Sequence, residues 1–205
     1  MSLSLHFVHG WGFDASFWDG VAPLLDVWPQ TRADRGWFGP AEERVPEGPC
    51  LVIAHSHGAL RSLLAPPPGC VGMIAINGFD RFGQTRVLDW MLARFADDPA
   101  RVLDAFRARC GAGPALAITD AAALAAGLAD LRDTDGADAA AAWALPLVSL
   151  QGGADPILPE ATRDTAFSAA RCFRLECIAG GGHLLPLTDP QFCAHHIRAL
   201  AEHLS

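Results

Sequence analysis

The sequence predicts an α/β fold: a mostly parallel sheet of about six strands, helices on both faces, and a helical insertion between two of the strands. Three observations carry this. Short apolar runs bounded by Gly, Pro and Asp recur along the chain, and helical segments with recognisable caps separate them. Between them, the stretch from about Phe79 to Ala144 has no strand signal at all. Strands that are apolar throughout, rather than alternating, belong to sheets covered on both faces.

In chain order, the first strand is Leu3 to Val8, followed by a helix that Asp14 can cap and that runs through Leu25. A weaker strand lies near Thr31 to Asp34, and a strong one at Cys50 to Ala54 leads into the helical stretch Ala59 to Leu64. Val71 to Asn77 is the next strand. In the insertion, Trp90, Leu92, Phe95, Val102, Leu103 and Phe106 form an apolar stripe, and the Ala-rich run Ala121 to Ala142 continues it, for three or four helices in all. Leu145 to Gln151 and Cys172 to Ile178 are the last strands. A helix opening near Pro159 and running to Ala170 lies between them, and Thr188 or Asp189 caps a final helix ending near Leu204. We read residues 1–205 as a single domain, with a core of 1–78 and 145–205 and a helical cap of about 79–144.

Composition narrows the chemistry. All 15 basic residues are arginine, so Schiff-base chemistry and a P-loop lysine are excluded, and no glycine-rich dinucleotide fingerprint follows a strand. A formal charge of −8 disfavours nucleic acid and anionic membrane as partners. The opening residues have neither the basic start nor the apolar length of a signal peptide or span, so a cytoplasmic protein is expected; a monomer is expected as well. The six cysteines lie at irregular spacings without a CxxC pair, the pattern of buried free thiols. No zinc-like cluster is present, and the expected chemistry needs neither metal nor cofactor.

The chemistry itself centres on Ala54-His55-Ser56-His57-Gly58, between an apolar strand and a helix. The pattern approximates G-x-S-x-G, in which small residues let the backbone turn sharply and expose a serine above the sheet. Serine needs a base and a carboxylate to orient that base. Asp155 follows one strand in a Gly/Pro-rich turn, and His183 follows the last strand after Ala179-Gly-Gly-Gly. The order Ser56, Asp155, His183 and the three strand-end positions make a catalytic triad. Two backbone N–H groups are candidates for an oxyanion hole: that of His57, at the start of the helix, and that of Trp11 in His9-Gly-Trp-Gly. The Trp11 ring is placed to wall an acyl pocket. His195 and His196 point about 100° apart on one helix; spacing with Phe192 and Leu200 marks His196 as a core histidine.

These residues resemble the α/β-hydrolases, and among them the biotin-pathway esterases that remove the methyl group from pimeloyl-acyl carrier protein methyl ester. His9-Gly-Trp-Gly-Phe-Asp-Ala-Ser-Phe-Trp18 is similar to the opening motif of those esterases, Asp189-Pro-Gln-Phe-Cys193 to their last helix, and Asp97-Asp98, Arg101 and Phe106 to their lid. The resemblance implies a lid with Phe106 against the acyl chain and arginines facing an acidic carrier protein. Arg101 matches one such position; Ala105 occupies another, which leaves Arg94, Arg107 and Arg109 as the alternatives. It also implies that two edge strands are missing, since little chain precedes His9. His55 and His57 replace bulkier apolar residues, so a more polar pocket entrance, with His57 against the substrate, is expected. A general small-ester hydrolase or lactonase, a lyase using the same triad, and a non-catalytic binding protein are the alternatives.

Overall fold

The computed structural model describes residues 2–42 and 44–205. Its centre is a six-stranded sheet in the order β2-β1-β3-β4-β5-β6, and every neighbouring pair is parallel. The strands are β1 (Ser4–Val8), β2 (Gln30–Ala33), β3 (Cys50–His55), β4 (Cys70–Ile76), β5 (Pro146–Gly152) and β6 (Cys172–Ile178). Each expected strand is present within a residue or two of its predicted ends. The central strands are buried because both faces are covered. On β3, Leu51 and Ile53 face one core while Val52 and Ala54 face the other.

One core lies beneath the short helix α7 (Leu185–Thr188) and the long α8 (Pro190–Leu204), with Cys193, Ala194 and Ile197 packed near Ile74 and Val148. The other core holds α1 (His57–Leu64) together with the insertion, which forms α2 (Thr85–Phe95), α3 (Pro99–Cys110), α4 (Ala121–Asp133) and α5 (Ala137–Ala142). Leu124, Leu128 and Leu131 of α4 share that core with Leu60, Leu63 and Met73. The cap is therefore continuous with the main core.

Two helices differ from expectation. The segment from Asp14 to Leu25 forms two short 3-10 turns, Ala15–Trp18 and Ala22–Leu25, with Asp14 capping the first through Ser16 N–H. Gly20 and Pro23 interrupt a continuous helix. The helix after Pro159, α6 (Glu160–Thr165), stops before Phe167, which takes φ 61° and is fully buried. His196 is half-buried, its ring edge-on to Phe192 at 4.7 Å, rather than in the core. All six cysteines are free thiols, but Cys172 and Cys177 are exposed, because β6 is an edge strand. Among the described residues no helix is long and apolar enough to cross a membrane.

Candidate active site

Parallel strands deliver their carboxyl ends to one edge, and the crevice opens where the strand order reverses, here between β1 and β3. Ser56 sits at that point. Its φ of 50° and ψ of −122° are rare for a residue with a side chain and cost about 1–3 kcal/mol. The turn is held by Ser56 N–H donating to the Ile76 carbonyl at 3.0 Å and Ala59 N–H donating to the Ser56 carbonyl at 2.9 Å. Gly58 is required by close approach: a Cβ there would lie 2.6 Å from the His9 carbonyl oxygen and 2.7 Å from that of Val8. Ala54, in the position of the first glycine, is fully buried and tolerated.

The other two residues expected in the triad, Asp155 and His183, meet because two loops pack backbone to backbone. A Cβ on Gly152 would stand 2.3 Å from the Gly182 carbonyl oxygen, so only glycine at the end of β5 lets the loop after β6 come this close. His183 Nδ1 then donates to Asp155 Oδ2 at 2.8 Å, with both side chains fully buried. The same Oδ2 accepts from Asn77 Nδ2 at 2.9 Å, while Oδ1 accepts from the Ile157 and Leu158 N–H groups at 2.7 and 3.1 Å. Burial works against ionisation of this carboxyl, but the His183 contact and the backbone donors outweigh it and hold its pKa below the usual carboxylate range. His183 Nε2 is buried without a partner in the protein, which leaves its lone pair for an incoming proton. Asn77 was missed from the sequence; its signal is an asparagine at a strand end in positive φ (44°), a conformation that asparagine tolerates.

His57 opens α1, so its N–H has no carbonyl within the helix to bond. Its side chain turns away from the substrate space. Nε2 lies 2.7 Å from Asp130 Oδ2 on α4, a carboxylate that also accepts from Arg61 and Thr134. Burial lowers the His57 pKa, so the imidazole is neutral and donates to Asp130. His55 is fully buried behind the elbow. Neither histidine makes the entrance polar, because cap and core contacts claim both rings.

The cavity over Ser56 has a volume of about 260 Å³, and its walls include Trp11, Phe79, Leu88, Val102 and Phe106. Trp11 is anchored by Nε1 donating to the Leu124 carbonyl at 2.8 Å, with Phe106 edge-on at 5.0 Å. Gln84 and Arg109 supply polar atoms to an otherwise apolar lining. A second groove beside it is bounded by Trp90, Arg94 and Arg101. Asp98 and Asp104 are occupied in accepting backbone N–H groups of Arg101 and Ala115. Arg107 is not on the carrier-facing surface expected of it: it donates to the Gly12 and Gly113 carbonyls and lies over the Phe13 ring at 4.8 Å, joining α3 to the loop after β1. Among the described residues no cluster of His, Cys, Asp and Glu is arranged to hold a metal ion.

No protein-family model and no curated protein matches the sequence. Solved structures do resemble the fold. A hydrolase from Pseudomonas aeruginosa PA01 is 19% identical, with 97% of this chain and 89% of that one covered at TM-score 0.76. An esterase from Exiguobacterium antarcticum is 14% identical, with 98% and 92% covered at TM-score 0.80. An enol-lactonase from Burkholderia xenovorans LB400 is 14% identical, with 97% and 91% covered at TM-score 0.78. The parallel sheet, the elbow at the end of β3 and these likenesses together establish that the chain has the α/β-hydrolase fold.

Proposed function

We propose that this protein is a serine carboxylesterase, a reading carried by the strained Ser56 at an apolar cavity and a buried Asp155–His183 pair at the same carboxyl edge of the sheet. Ser56 Oγ attacks the ester carbonyl while His183 Nε2 takes its proton. Asp155 keeps the other ring proton on Nδ1 and stabilises the imidazolium that forms. The Trp11 and His57 N–H groups hold the oxyanion, each such donor contributing about 2.7–4 kcal/mol. His183 then protonates the leaving alcohol, and water activated by the same histidine releases the acid.

For the substrate we propose pimeloyl-acyl carrier protein methyl ester. The apolar cavity suits an acyl chain, and Arg94 and Arg101 are exposed cations beside its mouth, suited to an acidic carrier, while Arg109, also exposed, donates to the Pro156 carbonyl. The second reading is a free small-ester hydrolase or lactonase. It is favoured by the modest cavity volume of about 260 Å³, and by the diversion of Arg107 into the fold.

The test is hydrolysis of pimeloyl-acyl carrier protein methyl ester by purified protein, beside a free short-chain ester and the Ser56→Ala variant. We expect cleavage of the carrier-linked ester and a fall in turnover of about 10⁶-fold in the variant. Cleavage of the free ester alone would favour the second reading, and activity that survives Ser56→Ala would remove both.

A further inference from the structure

The reaction described above makes no use of His55. Its ring is fully buried, 4.9 Å between centroids from the ring of His183 and 4.5 Å from that of Phe17. His55 Nε2 lies 3.0 Å from the backbone carbonyl oxygen of His183. A carbonyl only accepts, so Nε2 carries the proton. Nδ1 is buried without a partner and faces Gly10, where a Cβ would come within 2.7 Å of it. A second proton on Nδ1 would find no acceptor, and burial holds the imidazole well below its ordinary pKa. His55 is thus a fixed, neutral donor.

What it holds is the backbone of the base. His183 follows Gly180, Gly181 and Gly182, three residues with few backbone preferences of their own. Gly181 is tethered on both sides, accepting from Ala154 N–H and donating to the Ile178 carbonyl, each at 2.9 Å. Asp155 holds the His183 ring through Nδ1 but does not fix the main chain at 183. We propose that His55 is a positioning residue for the catalytic base, its Nε2–H clamping the His183 carbonyl so that the imidazole is presented to Ser56. The end of β3 then carries both the nucleophile and, one residue earlier, the support of its partner. This inference rests on the Ser56–His183 reading.

The test compares His55→Leu, which removes the donor, with His55→Gln, whose amide N–H₂ reaches about as far as Nε2. With a short-chain ester, His55→Leu is expected to lower kcat by about 10²-fold, the cost typical of a misplacement of about 1 Å, while KM stays within about twofold. His55→Gln should recover at least about tenfold of that loss, and fluorophosphonate labelling of Ser56 should slow and recover in parallel. If His55→Leu does not fold, His55→Met, which matches glutamine in length without a donor, takes its place. A donor-free variant with wild-type kcat, or a glutamine variant as slow as the donor-free one, overturns the proposal. If cleavage by the wild type survives Ser56→Ala, the esterase reading falls instead.

Discussion

Replacing Asp155 by asparagine tests the catalytic arrangement with the change of a single atom. Four donors converge on this carboxylate: His183 Nδ1, Asn77 Nδ2, and the N–H groups of Ile157 and Leu158. An amide has only one acceptor oxygen. With that oxygen kept on the two backbone donors, its NH₂ faces His183 and Asn77. Asn77 can accommodate this, because its Oδ1 is buried without a partner and a flip of its amide turns that oxygen toward the new NH₂. His183 cannot. Its Nδ1 must become the acceptor, which moves the ring proton to Nε2 and leaves no lone pair to take the Ser56 proton. We expect kcat to fall by about 10⁴-fold, about 5.5 kcal/mol of barrier. Loss of the charge-assisted contact costs about 1.5–3 kcal/mol of stability. That corresponds to a melting temperature lower by about 3–12 °C for a chain of this size. The assay is steady-state release of alcohol from a saturating short-chain ester, beside a thermal melt of the same preparation. A variant that melts in that window yet retains more than about a tenth of wild-type kcat would refute the tautomer argument.

Three other outcomes are expected. Gly58→Ala drives a methyl group into the His9 and Val8 carbonyls, so it should cost about 3 kcal/mol or more and lower the melting temperature by at least about 6 °C; an unchanged melt would contradict the packing described at the elbow. Phe106→Ala removes the part of the cavity wall that packs edge-on against Trp11 and should raise KM for a medium-chain acyl ester about tenfold while changing kcat less, as read from initial rates across a series of chain lengths. His9, His55 and His57 each have a pKa lowered by burial, so below about pH 6.5 the unfolded chain takes up protons that the fold refuses. Stability is therefore full above that pH and declines beneath it, by up to about 4 kcal/mol per pH unit while all three stay neutral; urea unfolding that is flat or rising from pH 7 to 5.5 would count against buried neutral rings.

The strands were legible because a parallel strand covered on both faces must be apolar along its whole length, a property written in consecutive residues such as Leu51-Val52-Ile53. The three candidate site positions were legible for the same reason: Ser56, Asp155 and His183 each follow such a run, and the turn chemistry around them is local. Helix extents were less so. The cap at Asp14 suggests one helix to Leu25, but Gly20 and Pro23 divide the segment into two short turns, and α6 ends where Phe167 is drawn into the core.

Side-chain destinations were not legible, because they depend on partners far away in the chain. His57 looked like a pocket residue until Asp130, 73 residues on, claimed its ring. Arg107 looked like a surface cation until the Gly12 carbonyl, 95 residues away, accepted its N–H. Asn77 belongs to no motif and His55 fills a variable position of one, and their relevance comes from contacts with Asp155 and His183, 78 and 128 residues away. Sequence alone thus determined the succession of strands along the chain and the residue types at their ends, since backbone conformation and burial are set by near neighbours. Tertiary structure alone decided which of those residues face the substrate and which hold others in place, since a hydrogen bond is specified by position in space and leaves no periodicity in the chain.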